Sequence, residues 1–288
     1  MIPAPFEYVC PTTVDEAVSA LSEAISHHRD VKVLAGGQSL LPVLRLRLAA
    51  PELVVDLSRV EGLRGVRDDG DAIVIGAMTT HDEVMRDPLV NEHDLLLALT
   101  TRTVADPQVR HRGTFGGSLA HADPAGDLLA PALALDAQMV IAGPAGRTRT
   151  AQAQDFFTDL FTTTLDEDEL LVEVRVPKYT GWGASYQKFN RVAQAWSIVG
   201  VAAAVRADGG TIAEARIGLT NMASTPVRAR TVEQALVGQP ATDEAIRDAV
   251  ADVTAGTQPP EDANADAEYR RHLAGVLTRR AVRAAAGA

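Results

Sequence analysis

Cysteine is nearly absent, with Cys10 the only one in 288 residues. A single thiol excludes an internal disulfide. It also excludes a thiolate-held iron–sulfur cluster built by this chain alone, which takes about four cysteines. Basic charge is in deficit, 27 Lys and Arg against 38 Asp and Glu for a formal net charge of −11, which argues against a nucleic-acid surface. An anionic ligand would therefore be held by backbone dipoles and local donors, not by a broad basic field. Long apolar runs are missing too; none approaches the roughly 18 residues of a membrane span. Residues 1–10 carry Pro3, Pro5 and Glu7, unlike the basic and then apolar start of a secretory signal. These absences predict a soluble chain in a reducing cytoplasm. No internal repeat is visible, and the glycine-rich Rossmann fingerprint is lacking. Its nearest approach, Gly181-Trp182-Gly183-Ala184-Ser185-Tyr186, has no third glycine and no preceding strand. Ser118 sits in Gly116-Gly117-Ser118-Leu119-Ala120, which is not the G-x-S-x-G elbow of a hydrolase. His111, His121, Asp123 and Asp127 fit no recognised metal-ligand spacing.

What is present is an ordinary globular balance, 46% apolar and 23% charged, in a chain long enough for two or three compact units. Two glycine-rich segments stand out. Ala35-Gly36-Gly37-Gln38-Ser39 follows the apolar residues 31–34, and residues 114–127 read TFGGSLAHADPAGD. Glycines let a backbone turn sharply and let a ligand approach main-chain N–H groups. Neighbouring hydroxyls add donors. Either segment alone reads as a plain turn; together they suggest one elongated phosphate-bearing ligand held from two sides, and a diphosphate dinucleotide such as FAD fits.

The patterning predicts three regions. Thr12 or Thr13 caps a helix over the apolar positions Val14, Ala17, Val18, Leu21 and Ile25. Strands over 31–34 and 53–57 complete a small β-α-β unit, with a short helix beginning near Leu40. A hairpin turns at Asp68-Asp69-Gly70-Asp71, helices follow at Thr80 and over 95–103 and 128–135, and strands lie at 138–142 and 170–176. From Lys178 onward the strands 186–189, 199–206 and 213–220 suggest an antiparallel sheet, with helices over 229–236, 244–253 and 269–286. His27-His28 reads as a solvated helix end and 166–169 (DEDE) as an exposed turn. The terminal arginines Arg270, Arg271, Arg279, Arg280 and Arg283 read as snorkelling over an apolar stripe.

The whole chain resembles the FAD-binding medium subunits of the bacterial molybdenum hydroxylases, the carbon monoxide dehydrogenase and xanthine dehydrogenase group. The resemblance rests on AGGQSLLPVLRLRLA (35–49), VVDLSRVEGL (54–63), IGAMTTH (75–81) and VRHRGTFGGSLAHADPAGDLLAPALALDA (109–137). ELLVEVRVP (169–177), YQKFNR (186–191) and YRRHLAGVLTRRAVRAA (269–285) support it. It implies an α+β fold, a two-subdomain FAD-binding unit of the vanillyl-alcohol-oxidase (PCMH) type over 1–57 and 58–176. A C-terminal α+β domain of the CO-dehydrogenase flavoprotein type would follow over 177–288. Ala35, Gly36, Gly37, Gln38, Ser39 and Leu40 would form the first FAD loop, with N–H groups and Ser39 toward the diphosphate. Thr114, Phe115, Gly116, Gly117 and Ser118 would form the second. His121, Asp123 and Asp127 lie in the same motif, and the acids could accept hydrogen bonds from ribitol or ribose hydroxyls. Lys188 matches a family lysine near the flavin, where a cation would favour the anionic reduced ring. Trp196 would lie beside the isoalloxazine; its plain alternative is core packing.

The resemblance further implies a heterotrimer, commonly dimerised. A large subunit would carry molybdopterin cytosine dinucleotide and set the substrate, and a small subunit two [2Fe-2S] clusters whose electrons leave through FAD. A free-standing flavin oxidase of the same fold is the first alternative, although no motif marks a base near the flavin. A non-catalytic interaction subunit with vestigial loops is the second.

Overall fold

A computed structural model describes residues 2–287. Its first layer is a three-stranded parallel sheet in the order β1-β3-β2, from β1 (Glu7–Val9), β2 (Val31–Leu34) and β3 (Leu53–Asp56). Helix α1 (Val14–Ser26) begins where predicted. Thr13 Oγ1 accepts from Glu16 N at 3.2 Å, and the Glu16 carboxylate reaches back to the Thr13 and Thr12 amides. Those amide donors hold the Glu16 carboxyl below its usual range. The helix buries Ala17, Val18, Leu21 and Ala24 against Leu53 and Val55 of β3. This small core is not self-contained, because Leu63, Met78 and Leu170 from later in the chain complete it. Helix α2 (Leu40–Arg45) follows the first glycine loop.

The second sheet is antiparallel. Its strands are β4 (Val66–Asp68), β5 (Ala72–Gly76), β6 (Gln138–Ala142), β7 (Thr148–Gln152) and β10 (Leu170–Pro177), while β8 (Phe157–Asp159) and β9 (Thr162–Thr163) form a separate small hairpin between β7 and β10. The order β4-β5-β10-β6-β7 puts the last strand at the centre. Helices fill the connection from β5 to β6: α3 (His81–Arg86), α4 (Pro88–His93), α5 (Leu95–Thr101), α6 (Pro107–Arg110), α7 (Phe115–His121) and α8 (Leu129–Ala134). Thr80 caps α3 in a full capping box with Glu83. The short α9 (Ala153–Phe156) leads into β8. The predicted exposed turn at 166–169 needs correction: Glu169 is buried, paired with Arg147 and Arg149, and the Arg149 guanidinium holds its carboxyl low.

The third sheet runs β11 (Gly183–Phe189), β12 (Val199–Asp208), β13 (Thr211–Thr220) and β14 (Val227–Arg228), all antiparallel. Alternation along β12 sorts its neighbours. Val199, Val201, Ala203 and Val205 share a core with Leu273, Ala274, Leu277 and Ala281 of the terminal helix. Ala202 and Ala204 point the other way, into the core that contains α8. The small residues on that face allow close approach, and at Gly218 of β13 any side chain would meet the Ala130 backbone. Helices α10 (Arg230–Leu236), α11 (Asp243–Ala249) and α12 (Ala267–Ala286) close the chain. The arginines of α12 do not all snorkel. Arg270 is fully buried, donating to the Ile198 carbonyl and pairing with Asp262 at 2.8 Å. Arg279 pairs with Asp243.

One buried carboxyl has no partner. Asp94, 1% exposed at the start of α5, makes no side-chain hydrogen bond among the described residues, and burial pushes its pKa up to about 8. The native state then keeps a proton that the unfolded chain releases near 3.8. The unfolded chain binds fewer protons in that window, so stability falls as pH rises through it. Asp94→Asn should melt closest to the parent near pH 4 and progressively above it toward pH 8. Parallel melting curves across that range would remove the effect.

Candidate functional site

The two glycine loops meet face to face. A methyl group on Gly36 would overlap the Arg112 carbonyl oxygen and come 2.7 Å from the Gly113 Cα. One on Gly117 would come 3.2 Å from the Ala35 Cβ. Glycine is thus required at position 36 for the backbones to approach, whereas a Cβ at 117 would first meet Thr114 Oγ1 at 2.6 Å within its own loop; Gly37 additionally adopts φ +76°. The closely apposed segments come from the end of β2 and from the entry to α7, one from each of the first two layers.

Their donors differ. The amides of Gly36, Gly37, Gln38, Ser39 and Leu40 make no hydrogen bond among the described residues. Five successive N–H groups without internal acceptors, with Ser39 half-buried beside them, are a ready cradle for an anionic group. In the second loop the amides are already used. Phe115 N donates to Thr79 O and Gly116 N to Ala77 O, both at 2.9 Å, Gly117 N to Thr114 Oγ1 at 3.2 Å and Ser118 N to Thr114 O at 3.0 Å. Thr114 is the N-cap of α7, Phe115 lies in the core and Gly116 packs on Ala77. The second segment therefore supplies shape and close approach, with the Ser118 hydroxyl its half-exposed donor.

The acidic residues of the second motif also have work inside the protein. Asp123 accepts from Ala125 N at 2.9 Å, and burial raises its pKa. His121 is half-buried with its pKa lowered by burial, and its ring lies 5.1 Å from Phe161. Asp127 is buried and accepts from Lys188 Nζ at 2.7 Å, Tyr186 Oη at 2.8 Å and Ser197 Oγ at 2.6 Å. Two of these donors fall on Oδ1 and Lys188 alone on Oδ2, so the protein takes most of its acceptor capacity and leaves a ribityl or ribose hydroxyl at most one position on Oδ2. Lys188, bonded also to Thr103 O at 3.1 Å, presents a matched ion pair instead of an isolated cation. Burial and the Asp127 charge push the Tyr186 phenol far above its ordinary range, keeping it a donor. Trp196 is 57% exposed, so core packing does not explain it.

His81 lies beside the site and has no sequence signature beyond its place at the end of IGAMTTH (75–81). It is buried behind the second loop, where a Cβ on Gly113 would come 2.8 Å from its ring, and its amide donates to Gly113 O at 2.9 Å. Burial lowers its pKa to about 4, and its Nδ1 has no partner among the described residues. Between about 4 and 6.5 the unfolded chain binds the proton that the native imidazole refuses. Stability should therefore drop as pH falls through that interval. Replacing the ring by a non-titrating one of similar size, His81→Phe, should flatten the fall in melting temperature from pH 6.5 to 4.5; an unchanged slope would exonerate His81.

Comparison with known proteins identifies the family. Residues 4–179 match the FAD binding domain in molybdopterin dehydrogenase, and residues 184–285 the CO dehydrogenase flavoprotein C-terminal domain. The carbon monoxide dehydrogenase medium chain of Hydrogenophaga pseudoflava is 42% identical, over 99% of this chain and 98% of that one. Reconstituted CO dehydrogenase from Oligotropha carboxidovorans superposes with a TM-score of 0.95 at 37% identity, covering 100% of this chain and 99% of that chain. Quinoline 2-oxidoreductase from Pseudomonas putida 86 gives a TM-score of 0.93 at 32% identity, with 100% and 99% covered. The expected α+β flavoprotein architecture with a distinct C-terminal domain holds.

Proposed function

The chain belongs to the family of FAD-binding medium subunits of the molybdenum hydroxylases, and from that premise we propose how its residues serve an electron-transferring subunit. The observation that carries the reading is the meeting of the two glycine loops, with five unpaired amides on one side. Gly36, Gly37, Gln38, Ser39 and Leu40 would hold the diphosphate of FAD through main-chain N–H groups. Ala35 and Gly117 would keep the loops close enough for both to reach it, Gly116 would let α7 pack on Ala77, and Ser118 would add a hydroxyl. Thr114 and Phe115 would set the second loop's shape from within. His121 and Asp123 would line the neighbouring turn, while Asp127 would orient Lys188, and Trp196 would cover the ring system. When bound, FAD supplies a centre able to take electrons singly and release them in pairs.

Within the assembly we assign to this chain the step between [2Fe-2S] clusters of a small subunit and a terminal acceptor. Molybdopterin cytosine dinucleotide would sit in a large subunit that performs the hydroxylation. A dimer of such heterotrimers in the cytoplasm belongs to the same proposal, as does a division of this chain at 57/58 and 176/177, the first cut lying between the first and second sheets and the second beside the end of β10. Among the described residues, no helix is long and apolar enough to cross a membrane.

The test is to purify the chain alone and with its natural partners, then measure bound flavin and its bleaching by substrate. Bleaching confined to the assembled complex supports the electron-transfer subunit. Bleaching of the lone chain by a simple organic substrate would favour a free-standing oxidase. Gly117→Asp should abolish flavin retention in a folded chain, because its carboxylate both crowds Ala35 and repels a diphosphate. Normal flavin content in that variant would remove the second loop from the site.

A further inference from the structure

The segment joining β11 to β12 is fastened at its two ends, and both fastenings use one carboxylate. Lys188 Nζ donates to Asp127 Oδ2 at 2.7 Å before the segment begins, and Ser197 Oγ donates to Asp127 Oδ1 at 2.6 Å after it ends. Ile198 N closes the base on Phe189 O at 2.8 Å, and Asn221 Nδ2 holds Ser197 O at 2.8 Å. Between these feet the hydrogen bonds among the described residues stay inside the segment. Asn190 Nδ2 donates to Val192 O at 2.7 Å and Ala195 N to Val192 O at 2.9 Å. Arg191, Val192, Ala193, Gln194 and Trp196 are all exposed. Few tertiary ties and solvated backbone place such a segment at the low end of local stability. The anchoring carboxylate lies in the turn that follows α7, and the second glycine loop opens that helix. Asn221 N reaches Pro124 O in the same turn at 2.9 Å. The feet of the segment are thus built onto the wall of the proposed flavin site.

We propose that Asp127 is a positioning latch: by holding both feet of residues 190–196, it sets this segment as a flap whose Trp196 side chain retains FAD between the glycine loops. The inference rests on the flavin reading of the site. It gives Asp127 a role different from ligand contact, and it explains why one carboxylate takes donors from Lys188, Tyr186 and Ser197. The Ser197 foot is the informative one to remove. Ser197→Ala deletes a neutral donor and leaves Asp127 satisfied by Lys188 and Tyr186, so no buried charge is stranded.

The full-length chain contains only two tryptophans. Trp182 packs edge-on against Tyr179 at 4.9 Å, and the difference from Trp196→Phe isolates the Trp196 signal. Acrylamide quenching is measured on the flavin-free chain and FAD dissociation on the loaded one, for the parent, Ser197→Ala and Asp127→Asn. Ser197→Ala should expose Trp196 further to acrylamide and release FAD about tenfold faster, as expected for one lost hydrogen bond to a charged group. Asp127→Asn should do more of both. A parental dissociation rate in Ser197→Ala overturns the latch. Faster release with parental Trp196 quenching overturns it as well, since the flap would not have moved. If no form takes up FAD, the flavin reading fails with it, and the quenching comparison on the flavin-free chain still reports separately whether Asp127 ties the segment down.

Discussion

Gly36→Ala should strip flavin from a chain that remains folded, lowering FAD affinity by up to about a hundredfold. One added methyl would overlap the Arg112 carbonyl oxygen and crowd the Gly113 Cα. Both obstacles are backbone, which cannot rotate aside as a side chain can. Overpacking of this kind costs about 1–3 kcal/mol, and about 2.7 kcal/mol corresponds to a hundredfold in affinity. Relief comes by parting the loops, and parting them dismantles the cradle before it disturbs the cores of the three layers. Equilibrium titration of the flavin-free variant with FAD, beside a thermal melt, checks both halves of the expectation. Gly275 provides the contrast: it lies within α12 and a Cβ there meets nothing within 4 Å. Gly275→Ala should stabilise by about 0.8–1 kcal/mol through helix propensity and leave FAD affinity untouched. Parental affinity in Gly36→Ala would show that loop contact does not matter for binding.

Lys188→Met should destabilise the chain by about 3–5 kcal/mol, the cost typical of breaking a buried ion pair. Lys188 and Asp127 are 7% and 4% exposed at their side chains, so water cannot replace the lost partner. Tyr186 and Ser197 still donate to Asp127, which puts the expected loss nearer the lower figure. Combining Lys188→Met with Asp127→Asn removes both charges and should recover much of the loss, because the expense lies in the stranded charge. Denaturant unfolding of the two single variants and the double yields the coupling directly. Additive losses would mean that the pair is not energetically joined.

Much of this arrangement was legible in the residues, and what escaped has identifiable causes. The capping boxes at Thr13 and Thr80, the hairpin at Gly70 and the long β12–β13 pair depend on neighbours in the chain, so local pattern suffices. Two helices that pattern could have found were missed, α4 and α6. Both begin with an aspartate N-cap followed by proline at N1, Asp87-Pro88 and Asp106-Pro107, a recognised start signal. The meeting of the glycine loops was inferred from similar chemistry alone. The occupation of the second loop's amides by Thr79, Ala77 and Thr114 was not, because those acceptors come from the strand exit beneath and from the N-cap itself. Asp127 shows the limit most clearly. Its donors lie 59, 61 and 70 residues away, and an acid beside a glycine reads equally well as a ligand contact. Arg270 and Glu169 were misjudged for the same reason: a charge looks solvated until its distant partner is known.

The central place of β10 has a consequence for how the polypeptide is made. Its hydrogen-bonding partners β5 and β6 are synthesised long before it, and Leu170 also helps close the core of the first layer. During translation, two strand edges stay open until residues 170–177 emerge. A ribosome stalled short of this point exposes a half-built sheet to other chains, whereas one stalled just beyond it has released a unit able to close. Throughout the interval between those lengths, β5 and β6 each lack one neighbour.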